Sequence, residues 1–115
     1  MDGPSSGAIH LAVDANGNPW VITKHKQIYR RKNGTWTRIP GRATDIAIGH
    51  DNVVWILGEP RASEAGHNVF RRTSRQGQRG HWLKIPGIAG VRIGAGSQEN
   101  AWVVDHSRRV FRFKQ

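Results

Sequence analysis

One pattern, an apolar strand start followed by a turn and a tryptophan, occurs three times along the chain. A chain that repeats at such an interval must build stacked supersecondary units rather than one irregular core. The copies begin at Leu11, Ile46 and Val91 and reach Trp20, Trp55 and Trp102. Counted this way, the tryptophan lies nine residues on in the first two copies and eleven on in the third. Each copy then carries an apolar-aromatic-arginine triplet: Ile28-Tyr29-Arg30, Val69-Phe70-Arg71 and Val110-Phe111-Arg112. The first two copies close with Trp36-Thr-Arg-Ile-Pro-Gly41 and Trp82-Leu-Lys-Ile-Pro-Gly87. Equivalent points are 35 to 47 residues apart.

Within each copy the apolar runs are short, rich in Val, Ile, Trp, Tyr and Thr, and bounded by turn residues, which reads as four strands. Asn16-Gly17 and Asn33-Gly34 stand between such runs, and Asn-Gly supplies the positive φ of a type I′ hairpin turn. No stretch shows a capped 3.6-residue period, so almost no helix is expected. Several strands, such as Ile46-Ala-Ile-Gly and Trp102-Val-Val, are apolar on both faces, as a sheet covered on both sides requires. Four-stranded antiparallel units at this period, stacked face to face, describe the blades of an all-β propeller.

The expected boundaries are a flexible segment at 1–7, then repeats at 8–41, 42–87 and 88–115. The third repeat lacks its closing strand, so the chain supplies eleven strands, about 2.75 blades. Propellers close at four to eight blades, and closure protects the strand edges. Either the chain is part of a longer propeller or two chains close a six-bladed ring head to tail. The opening Met favours the homodimer.

These repeats resemble the tectonin family of β-propellers, in the three Trp strands, the Tyr29-Arg30, Phe70-Arg71 and Phe111-Arg112 pairs and the two Ile-Pro-Gly endings. The resemblance covers about residue 8 to the C-terminus. It implies a multivalent lectin-like module that recognises glycans or lipopolysaccharide-like surfaces. The alternative it leaves is a protein- or phospholipid-binding scaffold. It brings no catalytic residue.

The candidate ligand contacts follow from the repeat. Trp20, Trp55 and Trp102 offer faces for sugar stacking, although equivalent aromatics in repeats also serve as inter-blade core. Arg30, Arg71 and Arg112 recur as possible anion ligands, while Arg31 and Arg72 fall on the solvent side. The middle repeat has two insertions, 58–67 and 73–81, which leave opposite ends of the blade. The second brings Arg75 and Arg79. Asn18, His50 and Asp51 lie in turns beside the Trp strands. The Asp14-x-Asn16-x-Asn18 spacing mimics a calcium loop, but Pro19 and His25 stand where the glycine and the bidentate glutamate belong, so it reads as a turn.

Composition narrows the classes. The 115 residues include 18 Lys+Arg against 8 Asp+Glu, a net charge of +10, and no Cys. The charge points to anionic partners, and the missing Cys excludes disulfides and thiolate chemistry. The six histidines do not recur at equivalent positions and form no evident metal set. No acid, base or nucleophile is identifiable, so a non-enzymatic protein without cofactor or metal is expected. Nucleic acid is a weaker candidate, because the aromatics are committed to the repeat. The first ten residues have no signal-peptide character and no membrane-spanning run occurs, so the cytoplasm is the simplest expectation, with other compartments left open.

Overall fold

A computed structural model describes Pro4 and residues 7–72, 80–96 and 100–114, without the side chains of residues 61, 62 and 114. The strands are β1 (His10–Val13), β2 (Pro19–Ile22), β3 (Gln27–Lys32), β4 (Thr35–Ile48), β5 (Val54–Ser63), β6 (Gly66–Arg72), β7 (Trp82–Gly90), β8 (Arg92–Ala95), β9 (Asn100–Val104) and β10 (Val110–Lys114). All pairings are antiparallel, in sequence order from β1 to β7 and from β8 to β10. No helix occurs among the described residues.

β4 serves two blades. Its first half, from Thr35 to Ile39, pairs with β3 as the outer strand of the first blade. Its second half, from Ala43 to Ile48, pairs with β5 as the inner strand of the second. Pro40 and Gly41 mark the crossing, because proline donates no ladder hydrogen bond and Gly41 has φ +105°. The ten strands therefore fill eleven blade positions, four, four and three, in agreement with the sequence expectation.

Register corrects the third copy. Leu11 pairs with Val21, Ile46 with Ile56 and Ile93 with Val103, so Ile93 is the true counterpart of Leu11 and Ile46. From there Trp102 is nine residues on, as in the other copies. The apparent two-residue insertion is Val91-Arg92, ahead of the matched position; Val91 and Ile93 share one alternation phase, so a two-residue slip leaves the pattern intact and the sequence alone selected the wrong start.

Turn chemistry explains the hairpins. Asn33 and Gly34 take φ +53° and +78°, the type I′ geometry expected of Asn-Gly. At Asn16-Gly17 only Gly17 has positive φ. That turn is wider: the Gly17 amide donates to the Asp14 carbonyl at 3.0 Å, and the Asp14 carboxylate accepts the amides of Asn16 and Asn18 at 3.0 and 2.9 Å. An Asx turn thus replaces the tight I′ turn. The insertion at 58–67 is not a loop but a prolonged β5–β6 hairpin, with Ser63 opposite Gly66. Residues 73–79 lie outside the described residues.

The core lies between blades. Trp20, Ile22, Ile28 and Ile39 of the first blade pack on Ile46, Val54 and Ile56 of the second. Trp55, Leu57, Val69 and Ile85 on the other face of the second blade pack on Ala101 and Val103 of the third. The outward faces of the two terminal blades have no such cover: Leu11, Val13, Trp102 and Val110 are exposed.

Candidate functional site

The turns after β1, β3 and β4 gather at one end of the blades, and between the first and second blades they frame a cleft of about 660 Å³. β2 brings Trp20 to it, β3 brings Arg30 and Lys32, and β6 brings Arg72 from the opposite blade. Trp20 and Arg30 are directly paired across β2 and β3, and the guanidinium lies 5.4 Å from the indole centroid. Arg72 reaches the same indole at 5.6 Å and its own blade's Trp82 at 5.5 Å. Two cations thus share one aromatic ring. Trp82 in turn donates from Nε1 to the Pro40 carbonyl at 2.7 Å, tying the outer strands of the two blades together.

Electrostatically the cleft is unbalanced. Among the described residues Arg30, Lys32 and Arg72 face one carboxylate, Asp14, whose Oδ1 is occupied by two backbone amides and whose Oδ2 lies 3.4 Å from Trp20 Nε1. Arg30 Nε and Arg72 Nη1 are buried and have no hydrogen-bond partner among the described residues. Burial, and secondarily the neighbouring Arg30 charge, holds the Arg72 guanidinium below the usual arginine range.

Arg72 was expected on the solvent side. Instead it is half-buried, because strand alternation sets it on the same face as Phe70, turned toward the preceding blade's tryptophan. Its counterparts show the rule: Phe113 sits edge-on to Trp55 at 5.7 Å, and Arg31 lies 5.9 Å from Trp36. The signal in the sequence was the residue two places after the aromatic of each triplet, which the repeat alone did not mark as special.

The other sequence candidates are dispersed. Asn18 lines the same cleft. His50 and Asp51 occupy the exposed β4–β5 turn, where Asp51 accepts the Val53 amide at 3.2 Å. Trp55 is fully buried and its paired Arg71 is half-buried. Trp102 and Arg112 form the same stacked pair, 5.6 Å apart, on the open face of the third blade. Arg75 and Arg79 lie outside the described residues.

At the opposite end, equivalent inner-strand positions hold His10, Asp45 and Arg92. His10 Nδ1 is 3.8 Å from Asp45 Oδ1. Asp45 is buried and accepts the Ile46 amide on Oδ1 and the Ile93 amide on Oδ2, both at 2.9 Å, so it also fastens the second blade to the third. Among the described residues no group of three or more His, Cys, Asp or Glu is placed to hold a metal.

No protein-family model matches the chain, and no curated protein does. Solved structures do. A catalytically inactive histidine-to-alanine variant of virginiamycin B lyase from Staphylococcus aureus with quinupristin superposes over the whole chain, at TM-score 0.57 and 21% identity. A streptogramin B lyase structure does so at TM-score 0.58 and 15% identity. In both cases the chain spans 43% of the neighbour's length, and three blades of a seven-bladed ring are the same fraction. The likeness establishes a partial β-propeller and does not support the tectonin type.

It also overturns the lectin reading: these neighbours are enzymes. The physical reason is in the tryptophans. Trp20 is 3% and Trp55 0% exposed, so their faces belong to inter-blade packing and arginine stacking and are closed to a sugar. The expectation of a non-enzymatic protein finds no support in neighbours that are lyases. No helix among the described residues is long and apolar enough to cross a membrane.

Proposed function

We propose that the chain contributes three consecutive blades to a closed β-propeller, that a second copy completes the ring, and that the ring binds a small molecule at the blade ends. The exposure of Trp102 carries this reading. At 48% it stands open at a position where Trp20 and Trp55 are covered by the next blade. Val110 is 61% exposed, whereas its counterparts Ile28 and Val69 are fully buried. On the other terminal face Leu11 is exposed where Ile46 is buried.

The two open faces also match each other. Inside the chain, Trp20 receives its own blade's Arg30 and the next blade's Arg72, which is backed by Trp82. On the open faces, Trp102 already carries Arg112, and Arg31 is already backed by Trp36. A head-to-tail copy brings Arg31 over the partner's Trp102 and repeats the internal interface. Such heterologous contacts close when the rotation fits, here at six blades against the neighbours' seven. Light scattering is expected to give twice the chain mass of 12.9 kDa. A monomer at all concentrations overturns ring closure.

A second reading is catalytic, and the His10–Asp45 pair favours it, since it sets an imidazole beside a carboxylate at the inner ends of adjacent blades. The neighbours' lyase activity makes quinupristin the first substrate to try. Conversion to a new species by liquid chromatography, lost in His10→Ala, supports this reading, and no conversion removes it.

A further inference from the structure

We propose that the cleft between the first and second blades is a binding site for a phosphate-type dianion, held by Arg30 and Arg72 with Lys32 at its mouth. The site is complete within one chain, so it stands or falls separately from ring closure. Three observations converge. Among the described residues the cleft holds three cations against one carboxylate that is already engaged by backbone amides, which leaves an excess of two positive charges among them. Two guanidiniums from different blades converge on one indole, at 5.4 and 5.6 Å, which orients both forks and limits their rotamers. One donor on each, Arg30 Nε and Arg72 Nη1, is buried without a hydrogen-bond partner among the described residues. A buried, unmade hydrogen bond is costly, and a charged donor more so. An oxyanion seated between the two forks would supply both missing acceptors and relieve the repulsion that Arg30 exerts on Arg72.

The ligand class follows from charge and shape. A phosphate monoester offers three terminal oxygens and close to two negative charges at neutral pH, against one charge and two oxygens for a carboxylate. The site is also distinctive within the chain. In the next cleft, Phe113 takes the place of Arg72 against Trp55, so the second guanidinium is missing there. The repeat therefore does not generate equal anion sites in every cleft.

The test is a titration of the full chain with inorganic phosphate at low ionic strength, read by NMR at the arginine Nε–H resonances. Saturable shifts at Arg30 and Arg72 are expected, with acetate at least fivefold weaker at matched ionic strength. Binding is expected to weaken at least tenfold in Arg30→Gln and in Arg72→Gln. It is expected to be unchanged in Lys24→Gln, which removes the same charge from an exposed turn at the other end. Arg30→Lys and Arg72→Lys, which keep the charge and lose the fork, are expected to fall between. Absence of saturable shifts in the wild-type chain overturns the site, and this result does not depend on any variant folding. Equal affinity for acetate overturns the dianion assignment, and equal losses in Lys24→Gln reduce the effect to net charge.

Discussion

Single residues at the crossings and turns carry more of the fold than their size implies. Gly41 has φ +105°, and a Cβ there would stand 3.2 Å from Trp82 Nε1, in the path of its bond to Pro40. Gly41→Ala is therefore expected to cost about 1–2 kcal/mol in conformation alone, plus the disturbed contact. Gly87 occupies the equivalent place with φ +81° but open space around it, so Gly87→Ala should lower the melting temperature less. Trp55 is fully buried between two blades, and Trp55→Ala should cost about 3–5 kcal/mol in chemical denaturation. Asp105 closes the β9–β10 turn: its Oδ1 accepts the Arg109 amide at 2.9 Å and its Oδ2 the Arg109 Nε at 3.0 Å. These bonds, the amide first, hold its carboxyl below the usual range, against the opposing effect of desolvation. A depressed carboxyl stabilises the fold above its unfolded value, near pH 3.9, and that stability is lost as the pH falls through the lower folded value. Acid melts of Asp105→Asn should lack this component. The Ile-Pro-Gly endings were legible in the sequence as strand ends. That Gly41 is pressed against the next blade's tryptophan was not, because that contact joins residues 41 positions apart.

Elements show where local pattern ended and pairing took over. Alternation and turn residues marked the chain as short antiparallel strands without helix, since a two-residue period needs only neighbours to be recognised. The β5–β6 insertion was different. Gly, Pro and Ser in 58–67 read as loop, yet the strands continue through irregular pairing to Ser63 opposite Gly66. Its tip is held by the third blade, where the His106 amide donates to the Ala65 carbonyl at 2.9 Å. Shortening this hairpin to a two-residue turn is expected to leave the blades folded and to speed hydrogen exchange at the His106 amide. Unchanged exchange would show that the hairpin does not brace the β9–β10 turn. The same dependence on partners explains the third-copy register, which became unambiguous only through the Ile93–Val103 pairing.

At the scale of the whole molecule the terminal faces are the informative surfaces. Leu11 and Trp102 lie at opposite ends of the blade array and are 65% and 48% exposed. Under ring closure, Leu11→Asp or Trp102→Asp should each convert the assembly to a folded species of 12.9 kDa in light scattering. An assembly mass unchanged by either variant argues against these faces as the interface. What the sequence by itself determined is the set of strands, their grouping into two full blades and a third without its last strand, and the excess of positive charge. These depend on local alternation, turn chemistry and composition, which a single chain carries in order. The tertiary structure decided which charges act together. Arg30 and Arg72 are 42 residues apart and belong to different repeats, and only the stacking of one blade on the next brings both to Trp20.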